Sequence, residues 1–276
     1  MTGNSRTGNS GRRIVGRSIV MQERDRHLLR ELALMRVVDR EQAKIVAGFG
    51  STTRANVRLL ALTRAGLLRR FFLGTTAGGK KALYSLSAKG ASLVDVPERG
   101  LRRRSDESFV GNYFVDHQLA INRLYCAVRY AEIPLSEVIF KRWLGFYAPI
   151  TEGLRLIPDG YVELQTPTEL FAAFLEVDLG NESLAVWKGK TQNYLQYALS
   201  GKYAAQFGQS RFRTLVIVNS ERRLQSIRKT VAGITEKIFW FATLGAIERE
   251  GLFGSIWLRP KGDERQALIK ETPRTL

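Results

Sequence analysis

Ile157-Pro158-Asp159-Gly160-Tyr161-Val162-Glu163-Leu164, then Phe174-Leu175-Glu176-Val177-Asp178, then Lys190-Thr191-Gln192-Asn193-Tyr194-Leu195-Gln196-Tyr197 form the stretch on which the fold turns. The first two pieces have strand character, and Gln165-Thr166-Pro167-Thr168 between them supplies a turn. A period of two puts Phe174, Glu176 and Asp178 on one face and Leu175 and Val177 on the other. If the two strands pair, Asp159 at the start of one lies beside Glu176 near the end of the other. Carboxylates grouped this way repel one another unless a cation or a proton joins them, so the chemistry admits a divalent-metal site. A helix through the third piece places Lys190, Tyr194 and Tyr197 on one side, at i, i+4 and i+7.

Pro158-Asp159 followed by Glu176-Val177-Asp178 resembles the core of the PD-(D/E)XK nuclease superfamily. The resemblance implies that Asp159, Glu176 and Asp178, with the carbonyl of Val177, would hold Mg²⁺ or Mn²⁺. A lysine two residues beyond the second acid would activate water or stabilise phosphate charge. Asp178 stands where that lysine is expected. Lys190 would then have to supply the cation from the helix, as it does in some members of the superfamily. The plainer alternative is a polar strand end followed by an amphipathic helix.

The chain has 276 residues, enough for one or two domains, and its 44% apolar content supports real cores. The formal charge of +17 points to polyanionic partners. Cys126 is the single cysteine, so neither a disulfide framework nor a cysteine-rich zinc pattern is present, and its apolar helical surroundings suggest burial. No apolar run is long enough to span a bilayer. Residues 1–20 are rich in Gly, Ser, Asn and Arg and lack the apolar block of a secretory signal, so cytoplasmic residence is the default expectation. That basic tail suits a phosphate-binding arm and an inert solubilising end equally well.

Residues 21–95 carry a different pattern. Asp25 to Leu34 reads as a helix with Leu28 or Leu29, Leu32 and Leu34 inward, and Asp39 is an N-cap for a second short helix through Val46. Ser51 or Thr52 caps a third helix to Arg64, with Ala55, Leu59 and Leu62 inward and Thr53, Arg54 and Arg58 outward. Gly66 stops it. Leu67 to Leu73 and Ala82 to Leu86 then read as strands joined by Gly74-Thr75-Thr76-Ala77-Gly78-Gly79-Lys80-Lys81. Three helices and a hairpin resemble a winged helix-turn-helix DNA-binding domain. In such a domain the third helix enters the major groove, with Thr53, Arg54 and Arg58 near base edges or phosphates. Lys80 and Lys81 on the wing suit backbone contact, whereas only one of the adjacent Arg69 and Arg70 can face the nucleic acid. DNA binding needs no cofactor. Winged domains also dock proteins, and that reading stays open.

Residues 96–108 read as a basic linker, and residues 109–260 as an α/β domain whose order is helix, three strands, helix, strand, helix, strand. The opening helix carries His117, which is either structural or close to the carboxylates. Ser136 to Trp143 supplies the first strand, Phe212 to Val218 a later one, and Phe253 to Trp257 the last. Residues 261–276 read as a loosely held polar tail. Tyr194 is an accessory candidate. A tyrosine relaxase would use it or Tyr197, but the chain has no histidine cluster for that enzyme's metal, and tyrosines on an apolar helix face usually pack.

Glu23-Arg24-Asp25, Leu59 and Leu62 before Ala65-Gly66-Leu67-Leu68, Tyr84-Ser85-Leu86-Ser87-Ala88-Lys89-Gly90, Asp116-His117, and the two acidic strands together resemble the replication-relaxation family of plasmids and mobile elements. That resemblance runs over roughly residues 20–260. It implies a winged helix joined to a nuclease-like domain, double-stranded DNA as partner, and a part in replication, relaxation or transfer beside other proteins of those processes. A homodimer on paired half-sites follows only from the frequent habit of winged domains. Two activities remain compatible with the sequence: DNA binding with a degenerate nuclease-like scaffold, and a metal-dependent endonuclease or nickase using Asp159, Glu176 and Lys190.

Overall fold

The computed structural model describes residues 19–74, 79–99, 112–131, 133–135 and 137–269. The chain divides into two compact units, residues 1–100 and 101–276. The basic tail through residue 18, the wing tip 75–78, residues 100–111 of the linker and helix start, and the end from residue 270 lie outside the described residues.

In the first unit, α1 (Glu23–Met35), α2 (Arg40–Val46) and α3 (Thr52–Arg64) precede the hairpin β2 (Leu68–Gly74) and β3 (Lys80–Leu86). Leu28, Leu29 and Leu32 of α1 are buried with Ala55, Leu59 and Leu62 of α3, as the apolar periodicity expects, but Leu34 is only half-buried and Ala33 and Met35 take the inward positions beside it. Asp39 caps α2 through Gln42 N–H at 2.8 Å, and Ser51 caps α3 through Arg54 N–H at 3.3 Å. Gly66 ends α3 with φ +75°. Its N–H donates to Thr63 at 2.9 Å and that of Leu67 donates to Leu62 at 3.0 Å, the paired bonds of a Schellman cap. One further feature departs from expectation: Val38–Asp39 forms a short strand, β1, paired with Tyr84 and Leu83, giving the sheet order β1-β3-β2. After the wing, α4 (Ala88–Leu93) is capped by Ser87 and buries Gly90 and Ala91. Helix, short strand, two helices and hairpin make a winged helix-turn-helix arrangement.

The second unit has a five-stranded sheet in the order β4 (Ile139–Leu144), β5 (Gly160–Gln165), β6 (Leu170–Asp178), β7 (Arg213–Val218), β8 (Phe239–Thr243). The first three strands are antiparallel neighbours, and β6, β7 and β8 run parallel. Leu175 and Val177 pack on one face with Leu124 and Val128 of α5 (Asn112–Arg129) and Ala246 of α9 (Leu244–Glu250). Phe174 packs on the other with Tyr194 and Tyr197 of α6 (Leu184–Leu199), Tyr203 of α7 (Lys202–Phe207) and Leu224 of α8 (Glu221–Ala232). Burial on both faces explains why β6 is an apolar run broken only at its acidic end. The expected last strand is a correction: Phe239–Thr243 completes the sheet, while Trp257 and Leu258 make only isolated bridges to Gln266 and Phe241. The tail is also held further than expected, since Leu268 is buried and its carbonyl accepts from Arg213.

Candidate functional site

The register Gly160↔Leu175 continues outward so that Asp159 comes alongside Glu176. Pro158 has no N–H to extend the ladder. Asp159 makes the last bonds: its N–H donates to the Leu175 carbonyl at 3.0 Å and its Oδ2 accepts from Val177 N–H at 2.7 Å. A side chain on Gly160 would lie 2.7 Å from the Trp143 ring, so glycine is required for the close approach of β4 here.

Glu176 is buried, with Oε2 2.7 Å from Lys190 Nζ and Oε1 accepting from the Tyr194 hydroxyl at 2.7 Å. Lys190 therefore reaches Glu176 from α6, with Glu182 as a second carboxylate at 2.8 Å. Burial pushes the Glu176 carboxyl up to about 7, against the pull of Lys190. Burial also opposes charge on Lys190, yet Glu176 and Glu182 hold its ammonium well above the ordinary range. Burial and Glu176 likewise raise the Tyr194 phenol well above its usual value. Tyr197 instead donates to Gln206 at 2.6 Å, as a packed tyrosine on the same helix face.

His117 comes in from α5. Its Nε2 is 2.9 Å from the Val177 carbonyl, which can only accept, and 3.3 Å from Asp159 Oδ2. The imidazole thus donates from Nε2. Burial lowers its pKa, but Asp159 and the Val177 carbonyl outweigh that and leave it raised.

Asp178 shares the strand face of Glu176 but not its partners. Its carboxylate accepts from the Trp187 indole N–H at 2.5 Å, the Gly180 amide at 2.6 Å and Arg223 at 2.5 and 3.2 Å. Burial pushes this carboxyl up, but Arg223, Trp187 and Gly180 together hold it below the usual carboxylate range. Arg223 thus balances the charge of Asp178 and engages both of its oxygens. Parallel pairing explains the meeting: Asp178 is level with Val218, and α8 starts immediately beyond, so its first turn overlies the end of β6. Arg223, Glu182 and Trp187 did not emerge from the sequence, although a carboxylate at the end of an apolar strand signals the need for a cation.

A divalent ion does not fit the donors as they stand. Mg²⁺ and Mn²⁺ favour near-octahedral oxygen shells. Both Glu176 oxygens, Asp159 Oδ2 and the Val177 carbonyl already face Lys190, Tyr194, Val177 N–H or His117. Among the described residues, no group of three or more His, Cys, Asp and Glu is disposed to hold a metal.

In the winged unit, Thr53 and Arg54 are exposed on α3 as expected. Arg58 is turned from that face toward α1: its Nε is 2.8 Å from the buried Asp25, and its Nη2 donates to the Val20 carbonyl at 2.6 Å. Arg69 pairs with Glu98 at 2.7 Å, while Arg70 is exposed and lies 4.9 Å from the centre of the Phe72 ring. Lys80 is exposed, and Lys81 pairs with the α2 cap Asp39 at 2.6 Å. Of the expected contacts, Thr53, Arg54, Arg70 and Lys80 present themselves outward. Arg58, Arg69 and Lys81 are engaged within their own unit.

The mixed sheet between helical layers, an acid just before β5, a second within β6 and a lysine from the following helix give the second unit an arrangement that resembles the PD-(D/E)XK core. Two solved structures of the restriction endonuclease FokI, the second bound to DNA, are similar at 12% and 10% identity. They cover 80% and 82% of this chain and 41% and 44% of theirs, with TM-scores of 0.31 and 0.33. The chain therefore spans less than half the length of either. Among curated proteins none matches at a significant level. The sequence model described as "Replication-relaxation" matches residues 28–210, from α1 through the acid pair and Lys190 to just beyond α7. That match covers more than half of the chain, and the chain belongs to the replication-relaxation family.

Proposed function

We propose that this is a sequence-dependent double-stranded DNA-binding protein of plasmid or mobile-element replication, relaxation or transfer, whose nuclease-like unit is a scaffold rather than an efficient nuclease. The supporting observation is the outward face of α3, where Thr53 and Arg54 stand exposed at the helix start above a wing carrying exposed Arg70 and Lys80. Such a helix places base-reading groups in the major groove, while the wing contacts the backbone. Replication or transfer proteins, and a second copy on paired half-sites, belong to the same reading. Polarisation titrations against a selected and a scrambled duplex test it. Arg54→Ala should weaken specific binding more than nonspecific binding, and Lys80→Ala should lower both and reduce the salt slope by about one. Equal binding of both duplexes by the native protein would refute it.

A second reading, a metal-dependent endonuclease or nickase, is favoured by one observation: Lys190 reaches Glu176 at 2.7 Å. That reading requires Mg²⁺ or Mn²⁺ to displace groups that now face Asp159 and Glu176.

A further inference from the structure

Val57 projects from α3 with 66% of its surface exposed, an unusual position for a β-branched apolar residue that helix propensity does not favour. The inward face of the helix is Ala55, Leu59 and Leu62, so helical geometry puts Val57 with Thr53 at the centre of the opposite face. It lines a cleft of about 320 Å³ together with Phe49, Thr53, Arg54 and Ala61. Arg24 at its rim lies 5.4 Å from the centre of the Phe49 ring. Arg54 and Asn56, both exposed, flank Val57. No carboxylate lines the cleft; of the acids in the first turn of α1, Asp25 is buried against Arg58 and Glu23 pairs with Arg30. An apolar spot rimmed by arginines complements the 5-methyl group of thymine, which projects into the major groove among acceptor edges and flanking phosphates.

We propose that Val57 is a specificity-determining residue that reads a thymine methyl group in the major groove. This rests on the duplex-DNA reading above and adds a base class to it. Arg54 has the donor fork for an adjacent guanine, and Asn56 the amide for an adenine.

The test uses the full chain and a duplex selected from a randomised pool. Each thymine of that duplex is replaced in turn by deoxyuridine, which removes the methyl and leaves the pairing edge. At one position the replacement should weaken native binding about fourfold, the scale of one buried methylene. Val57→Ser should bind the thymine and uracil duplexes equally while retaining the native helical signal. Indifference of the native protein to uracil at every position, or selected duplexes without thymine, overturns the inference but leaves sequence-dependent binding intact. Failure to select any duplex over the scrambled pool overturns both. A dimer of the DNA-free protein that Val57→Ser dissociates would assign this face to a second copy and overturn the inference as well.

Discussion

At residue 178 a carboxylate stands where the nuclease motif has a lysine, and the structure balances it with Arg223 from another helix. The Asp178 side chain is fully buried and that of Arg223 is 16% exposed. Removing one partner leaves the other desolvated and unpaired, so Asp178→Asn should cost about 3 kcal/mol in urea unfolding. Asp178→Lys, which restores the motif, should cost more, because it sets a second cation against Arg223. A Lys variant as stable as the native protein would refute this account. Glu176 gives a pH signature. With its carboxyl near 7 when folded and 4.5 as the reference, the folded chain holds the proton more tightly. Native stability should therefore fall, relative to Glu176→Gln, as pH rises from 4.5 to 7, and the difference should be flat above that window. Parallel slopes for the two proteins in urea titrations at pH 5, 6 and 7.5 would remove the assignment. Asp159, Glu176, Lys190 and Tyr194 were legible because strand and helix periods bring them together. Arg223 was not, since its partner lies 45 residues away and meets it only through the parallel strand pairing.

At the scale of elements, α3 shows how a periodicity places a residue on a face without fixing what its side chain reaches. Arg58 occupies a position flanking the outward stripe, yet its long side chain folds back to Asp25, whose Oδ2 also accepts from the Gln22 N–H at 2.7 Å at the start of α1. The pair therefore ties α3 to the α1 N-terminus. Arg58→Ala would leave a buried carboxylate unpaired and should destabilise the winged unit by about 3 kcal/mol. Arg54→Ala, exposed on the same helix, should stay within about 0.5 kcal/mol. Thermal unfolding of the two variants separates them, and equal midpoints would show that the Asp25 pair contributes nothing. The consequence for DNA studies is that loss of binding in Arg58→Ala reports on folding as much as on contact. Capping chemistry made α2, α3 and the Gly66 stop legible. The short β1 was hidden because its two residues also serve as the lead into α2. The aromatic β8 was passed over for Phe253 to Trp257, since both are apolar runs and only the parallel pairing with β7 distinguishes them.

Across the whole chain, the charge of +17 was legible, and the proposed polyanion partner rests on it together with the winged arrangement. Whether the second unit cuts that partner turns on its electrostatic arrangement. Lys190 is the cation a nuclease mechanism would spend on the scissile phosphate or the attacking water, and it is already shared between Glu176 and Glu182. Arg223 is likewise engaged by Asp178, and His117 by Asp159 and the Val177 carbonyl. A phosphate approaching this cluster meets four carboxylates whose cations are committed, and a divalent ion must first expel Lys190 or His117 from the oxygens it needs. The full-length protein, incubated with supercoiled plasmid carrying its natural origin and Mg²⁺ or Mn²⁺, should therefore produce no more open circles than Asp159→Ala or Glu176→Ala. Metal-dependent nicking that disappears in both carboxylate variants would overturn the scaffold reading. If Lys190→Ala also abolished nicking with fold and DNA affinity intact, the lysine would have exchanged Glu176 for the reacting phosphate, and the pair seen here would be the resting state of an enzyme.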